Sequence, residues 1–114
     1  MKALTLKPEF ADLVLTGTKI IENRSWGTHK QLHGKRIAIH RGGKGGAIIC
    51  TVVVKAVIDV KLAKKLFPSQ KRHICGPVCW ILGDKIDVEP APVAGKLGLW
   101  EIPKGVILTP IEGK

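Results

Sequence analysis

The stretch TGTKIIENRSW, residues Thr16–Trp26, constrains both the fold and the function of this chain. A glycine turn precedes two β-branched residues, Ile20 and Ile21, and this pattern predicts a strand over residues 20–26. Three charged side chains interrupt the otherwise apolar stretch: Lys19, Glu22 and Arg24. Because charges are costly where a strand lines a core, these three residues need an explanation.

Side chains in a strand alternate between its two faces, so Glu22, Arg24 and Trp26 are predicted to share one face. Two interpretations fit this arrangement. In the first, Glu22 and Arg24 form a structural ion pair, a kind of contact that contributes little at a sheet edge, and Lys19 is solvated at an exposed turn. In the second, the three charges face a ligand.

Length and charge narrow the class of protein. The chain has 114 residues, which predicts a single domain over residues 1–114 with one hydrophobic core. Lys and Arg number 19 against 9 Asp and Glu, a formal net charge of +10. Such a surface attracts polyanions, so we expect RNA, single-stranded nucleic acid or a nucleotide as partner. The alternative is a lysine-rich surface that serves solubility.

The three cysteines, Cys50, Cys75 and Cys79, form no even disulfide framework. The opening MKALTLKPEFADLVLTG lacks the long apolar region of a signal peptide. No stretch approaches the roughly 18 apolar residues of a membrane span. We therefore expect a cytoplasmic protein without a membrane partner.

The remaining segments predict an α+β fold. Residues 7–17, KPEFADLVLTG, read as a short helix, with Pro8 in the first turn, Phe10, Leu13 and Val14 on one apolar stripe, and Gly17 as its stop. Residues 61–67, KLAKKLF, read as a second helix; if its lysine face is only a solvated surface, Leu62 and Leu66 are expected to turn inward. Strands are predicted in RIAIH, AIICTVVVKAVIDV, PVCWIL and LGLWEI, with an irregular extended piece in GDKIDVEPAPV. Short strands separated by turns predict a small, mostly antiparallel β-barrel with one or two flanking short helices.

The opening residues resemble the ASCH domain, named for activating signal cointegrator homology. Its pattern Gly-x-Lys-x-x-Glu-x-Arg, often followed by Ser-Trp, is matched from Gly17 to Trp26. Looser matches follow in GKRIAIH, GAIICTVVV, GPVCWIL and GKLGLWEIP, so the resemblance covers almost the whole chain. The ASCH domain is similar in fold to the PUA domain, a compact β-barrel with a few helices.

The resemblance implies RNA or nucleotide binding, with hydrolysis as the alternative, because some branches resemble ribonucleases and others resemble amidohydrolases of N4-acylated cytidine. It also implies that Lys19, Glu22 and Arg24 converge on a cleft beside the helix. The hydrolases carry Thr where Glu22 stands and a separate downstream Glu, for which Asp59 is a candidate by strand position. Fold alone does not decide between binding and catalysis.

The chemistry of the residues gives each a candidate role. Lys19 would meet a phosphate or a developing oxyanion, and Glu22 would accept a hydrogen bond from an exocyclic amine. Arg24 would orient Glu22 or clamp a phosphate, and Trp26 would stack on a base. If the protein is a hydrolase, Lys19 and Glu22 are the candidate catalytic residues.

Further candidates for nucleic-acid contact lie outside this motif. His40 and Arg41 open the glycine-rich RGGKGG, in which Lys44 adds a charge; the alternative is a flexible hairpin loop. A second group shares a predicted helix face and is either a backbone-contacting stripe or a solvated surface: Lys61, Lys64 and Lys65.

A metal site is not expected. His73, Cys75 and Cys79 leave a zinc site incomplete unless Cys50, His29 or His33 joins them, and Cys79 is predicted to be buried beside Trp80. The prediction is therefore a protein without metal or other cofactor.

Overall fold

The computed structural model describes residues 1–25 and 30–111. These residues form six strands and two α-helices, in the chain order β1 (Lys2–Leu6), α1 (Pro8–Leu15), β2 (Ile21–Arg24), β3 (Arg36–Arg41), β4 (Ala47–Asp59), α2 (Val60–Leu66), β5 (Val78–Pro92) and β6 (Leu99–Glu101). Two 3₁₀ turns, Lys30–Leu32 and Pro68–His73, lie between them. The α+β class predicted from the sequence is confirmed.

All six strands belong to one sheet, in the order β2-β5-β4-β3-β1-β6. β1 runs parallel to β3, and the other neighbouring strands run antiparallel. Within the described residues β2 and β6 stay at opposite edges, and the sheet does not close. The mostly antiparallel character is thus correct, while the closed barrel is not confirmed.

Two long strands form the centre of the sheet. β4 has 13 residues and β5 has 15, and their pairing shifts register at three places. Such bulges increase the local twist and bend a strand, which lets two long strands curve around one core. The segment GDKIDVEPAPV, predicted as irregular, lies mostly within β5, and Asp84 at its turn-like start has a φ of 49°.

Hydrophobic side chains cover the sheet in three groups. The largest group lies under α1 and includes Leu4, Val14 and the fully buried Trp80. A second group surrounds Trp100, and a third joins the sheet to α2 through Ala63 and to Ile74, which follows the second 3₁₀ turn. Burial of this apolar surface is the main force that holds the helices against the sheet.

The two helices are attached to different degrees. α1 buries Ala11 and Val14, whereas α2 buries Ala63 alone among its residues. The prediction that Leu62 and Leu66 turn inward is wrong, since they are 40% and 56% exposed. Among the described residues, none of the helices is long and apolar enough to cross a membrane.

Candidate functional site

The end of α1 determines where Lys19 lies. Gly17 follows the helix with a φ of 79°, a left-handed conformation that glycine adopts without steric cost. Its amide donates to the carbonyl of Val14, and the amide of Lys19 donates back to Leu13 at 3.0 Å. The chain thus reverses within a few residues and enters β2 with Lys19 packed under the helix end.

Lys19 is buried and ion-paired. Its side chain is 5% exposed, and Nζ lies 3.2 Å from Oε1 of Glu22, whose side chain is 9% exposed. Nζ also donates to the carbonyl of Ile21. The expectation that Lys19 is solvated at an exposed turn is wrong, because the reversal at Gly17 turns the lysine inward to meet the carboxylate.

Glu22 joins the two cations. Its Oε2 accepts from Nη1 of Arg24 at 3.4 Å, so each carboxylate oxygen has one cationic partner. A carboxylate has about four acceptor positions, and these two contacts leave part of that capacity unused. The predicted Glu22–Arg24 pair therefore exists, but as part of a three-residue network with Lys19.

Aromatic rings flank this network. The guanidinium of Arg24 lies 5.5 Å from the ring centre of Trp80, and Nζ of Lys19 lies 5.8 Å from that of Phe10. Both distances are within the range of a cation–π contact. Trp80 is fully buried, so it supports Arg24 from below, whereas Phe10 is 42% exposed.

A cleft of about 430 Å³ opens above the network. It is lined by side chains from β1, the start of α1, β2 and the 3₁₀ turn before β5: Thr5, Leu6, Lys7, Phe10, Lys19, Glu22, Asn23, Arg24, Arg72, His73 and Cys75. The apolar stripe of α1 predicts a buried Phe10 next to Leu13, and no local pattern indicates that Phe10 lines a cleft. The structure differs because Ala11 and Val14 form the core side of α1.

Residues 70–76 form one wall of the cleft, and the side-chain amides of Gln70 and Asn23 connect this wall to β2, the strand that carries Glu22 and Arg24. Gln70 accepts from the amide of Ile20 at 2.9 Å and donates to the carbonyl of Thr18 at 3.0 Å, one residue on each side of Lys19. Asn23 donates to His73 and accepts from the amides of Cys75 and Gly76. The wall is thus held by five hydrogen bonds between β2 with its preceding turn and residues 70–76.

The surroundings of His73 in the cleft lower the pKa of its imidazole. Burial, followed by the positive charges of Lys19 and Arg72, lowers the pKa of His73. A lysine and an arginine on two different elements therefore act on the same imidazole.

His40 lies elsewhere, in the interior next to a separate cavity of about 230 Å³. It is 2% exposed, and its Nε2 lies 2.8 Å from the carbonyl of Val93, which can only accept. Nε2 therefore carries a proton, and Nδ1 accepts from the hydroxyl of Thr5 at 3.3 Å. That hydroxyl in turn accepts from Nε1 of Trp100. Both nitrogens of His40 are thus engaged by the protein.

The remaining predicted contact residues are spread over the surface. Arg41 pairs with Asp12 at 3.0 Å, and Lys44 is exposed in the turn between β3 and β4. The three lysines of α2 are all exposed and do not line the cleft: Lys61, Lys64 and Lys65. Trp26, the predicted stacking residue, lies outside the described residues.

The cysteines and acidic residues do not gather into a metal site. Within residues 1–25 and 30–111, no group of three or more His, Cys, Asp and Glu side chains is arranged to hold an ion. Cys79 is buried as predicted, and its thiol lies 3.6 Å from Oδ1 of Asn23. Cys75 is exposed at the cleft. His29, one of the possible fourth ligands, lies outside the described residues.

Comparison with known proteins supports the motif on which this site is built. The family model of the ASCH domain matches residues 4–92, a span that includes the whole Lys19–Glu22–Arg24 network. A comparison with curated proteins finds no match.

The fold is similar to that of an ASCH protein from Zymomonas mobilis, with a TM-score of 0.66 and 17% identity over 90% of this chain and 87% of that one. Crystal structures of two point variants of the Zymomonas protein each give a TM-score of 0.68 and 19% identity over 90% of this chain. The two alignments cover 90% and 88% of the chains of these variants. Since the family model spans most of the sequence, this chain belongs to the ASCH domain family.

Proposed function

We propose that this ASCH domain binds RNA or a nucleotide, with one base held in the cleft above Glu22. ASCH domains are in general RNA-binding or hydrolase-like, and the net charge of +10 suits a polyanionic partner. The observation that carries the proposal is the position of Glu22, a nearly buried carboxylate held between Lys19 and Arg24 on the floor of an open cleft.

The acceptor capacity of Glu22 favours a base with an exocyclic amine. Lys19 and Arg24 each occupy one carboxylate oxygen and fix its orientation, and unused acceptor positions remain. A carboxylate accepts well from the N4 amine of cytosine, and the N6 amine of adenine is also a donor. Uracil presents a carbonyl at the equivalent position, and two acceptors repel each other there. Cytidine or adenosine is therefore the preferred nucleoside.

Phe10 supplies an apolar face for the base. It lines the cleft, is 42% exposed, and lies over the same ammonium group that binds Glu22. Base stacking on an aromatic side chain is worth about 1–3 kcal/mol per base and tolerates any sequence. Phe10 thus takes the role that the sequence assigned to Trp26, with Glu22 supplying the discrimination between bases.

The basic surface outside the cleft would bind the phosphate backbone of a longer RNA. The lysines of α2 lie on an exposed helix that buries little of its own surface: Lys61, Lys64 and Lys65. Contacts of this kind give affinity without sequence preference. Lys44, exposed between β3 and β4, would supply a separate phosphate contact, and Arg41 at the end of β3 would do so only by giving up its ion pair with Asp12.

Calorimetric titration of cytidine and uridine monophosphates against the wild type and Glu22→Gln tests the proposal. The wild type should prefer cytidine monophosphate by about tenfold, as expected for an amine hydrogen bond to a charged acceptor. Glu22→Gln should reduce this preference below about threefold, with affinities calculated per folded molecule. Glu101→Gln is the matched control, because it removes an exposed carboxylate that pairs with the N-terminal ammonium of Met1. Equal affinities of the wild type for both nucleotides would contradict the proposal.

The alternative is a hydrolase that uses the same cleft, with Lys19 and Glu22 as catalytic residues. The buried Lys19–Glu22 pair favours it, because a fixed ammonium can stabilise a developing oxyanion. Asp59, the candidate second acid, instead accepts from the amide of Leu62 at the start of α2 and does not line the cleft. Release of acetate from N4-acetylcytidine that disappears in Lys19→Met would establish this alternative.

A further inference from the structure

We propose that the cleft recognises a phosphate monoester together with the base, so that its ligand is a nucleotide and not a nucleoside. Arg72 and Lys7, at the rim of the cleft, would bind the phosphate. This inference rests on the proposed function and adds a second contact region to it. Neither residue belongs to the Gly-x-Lys-x-x-Glu-x-Arg motif.

The cations of the cleft exceed what its carboxylate can balance. Among the described lining residues, four cations, Lys7, Lys19, Arg24 and Arg72, face the single carboxylate of Glu22. The excess is three positive charges. A nucleoside brings no charge to compensate them, whereas a phosphate monoester carries about −1.5 to −2 at neutral pH.

The cations also differ in their existing partners. Lys19 and Arg24 are bonded to Glu22 and form the floor. Lys7 and Arg72 are exposed, and neither forms an ion pair or side-chain hydrogen bond with another described residue. The two rim residues therefore keep all their donors for a ligand, and a guanidinium suits two oxygens of one phosphate.

The backbone that carries Arg72 is anchored in the absence of a ligand. It lies on the 3₁₀ turn Pro68–His73, which Gln70 ties to the backbone on both sides of Lys19. Directly after Arg72, Asn23 holds the carbonyl of His73 at 2.7 Å. An anchored backbone lowers the entropy cost of bringing Arg72 to a phosphate.

The size of the cleft selects a single nucleotide. Its volume of about 430 Å³ is near the lower end of the roughly 300–1,000 Å³ typical of small-molecule pockets. If the base lies near Glu22 and Phe10, the phosphate of the same nucleotide would meet the rim residues of the cleft. Such a ligand is either a free nucleotide or the phosphorylated end of a strand.

Titration of cytidine and of cytidine 5′- and 3′-monophosphates against three proteins tests the inference. The wild type should bind the better monophosphate at least tenfold more tightly than cytidine. Arg72→Gln should reduce that ratio below about threefold. Lys71→Gln is the matched control, because Lys71 lies on the same turn, is exposed, and does not line the cleft.

The outcomes separate this inference from the proposed function. Equal wild-type binding of cytidine and both monophosphates overturns the phosphate contact and leaves the base-binding proposal intact. Undetectable binding of all three ligands overturns both. Lys7→Gln repeats the test at the second rim residue, so that a folding defect of Arg72→Gln, seen by circular dichroism, does not prevent a result.

Two short RNA strands identify the source of the phosphate. A tetranucleotide with a terminal monophosphate should bind more tightly than the same strand with terminal hydroxyls if the cleft receives strand ends. If neither strand matches the mononucleotide, the ligand is a free nucleotide. If the hydroxyl-terminated strand binds as tightly as the mononucleotide, internal diesters suffice and the monoester inference is wrong.

Discussion

Replacing Lys19 by Met would show how strongly the buried charge network stabilises the fold. Met keeps most of the length and apolar volume of the side chain and removes the ammonium. Removing one partner from a buried pair costs about 3–5 kcal/mol. Here Arg24 stays 3.4 Å from Glu22 and is 27% exposed, so part of the compensation remains. We expect a loss of about 2–3 kcal/mol in the free energy of unfolding.

Urea denaturation followed by tryptophan fluorescence measures this loss. With an m value of about 1.5 kcal/mol/M, the midpoint should fall by about 1.3–2 M. Lys55→Met is the control, since Lys55 pairs with Asp84 at 2.9 Å while both side chains are more than half exposed. It should cost less than about 1 kcal/mol. If Lys19→Met lowers the free energy of unfolding no more than Lys55→Met does, the buried network does not stabilise the fold more than an exposed ion pair.

A double-mutant cycle separates the pair from its surroundings. Glu22→Gln in the Lys19→Met background removes the carboxylate that the first substitution left underpaired. The double variant should lose at least about 1 kcal/mol less than the sum of the two single variants. Additive losses would mean that Lys19 and Glu22 act independently, which contradicts their contact at 3.2 Å.

Four further results are expected. Phe10→Ala should weaken nucleotide binding by about 1–3 kcal/mol, and an unchanged dissociation constant would exclude stacking there. Ellman's reagent should modify the exposed Cys75 rapidly in the folded protein and the buried Cys50 hardly at all, because burial raises the pKa of the Cys50 thiol to about 12; nucleotide bound in the cleft should slow the reaction at Cys75. NMR titration should give His73 a pKa below its ordinary value, so that its stabilising effect is present above the unfolded-state pKa and is lost as pH falls through the folded-state pKa; Arg72→Gln should raise the folded-state value. RNA affinity should fall with salt by about 0.7 log units per log unit for each phosphate contacted, and the slope should flatten when three residues are changed to Gln, namely Lys61, Lys64 and Lys65.

Local patterns predicted the parts of the site that depend on neighbouring residues. The helix over residues 8–15 and its glycine stop follow from periodicity and the turn preference of Gly17. Strand alternation placed Glu22 and Arg24 on one face, where they form an ion pair. Both features involve residues a few positions apart, and for such distances the sequence pattern is sufficient.

The missed features depend on contacts between distant segments. Asn23 and Gln70 each bridge about 50 residues of chain, so no local pattern indicates that residues 70–76 form a wall of the cleft. For the same reason the sequence places Arg72 on a basic surface and does not indicate that it lines the cleft. The burial of Lys19 was missed because turns usually expose lysine, and only the packed helix end with Glu22 makes its burial tolerable.

Sheet closure is also a long-range property. The strand β1 was not predicted, although it lies between β3 and β6 and pairs with both. With β1 in place, the sheet contains a parallel pair, and its edges β2 and β6 lie at the two ends of the strand order. The number of short strands alone therefore could not decide between an open sheet and a barrel.

A crystal structure of the protein soaked with cytidine monophosphate would show directly where a nucleotide binds. We expect the base between Phe10 and the floor of the cleft, with its exocyclic amine within hydrogen-bond distance of Glu22 and its phosphate at Arg72. A nucleotide bound elsewhere, for example on the lysines of α2 with the cleft empty, would contradict the claim that Glu22 and its two cations form a base-binding site.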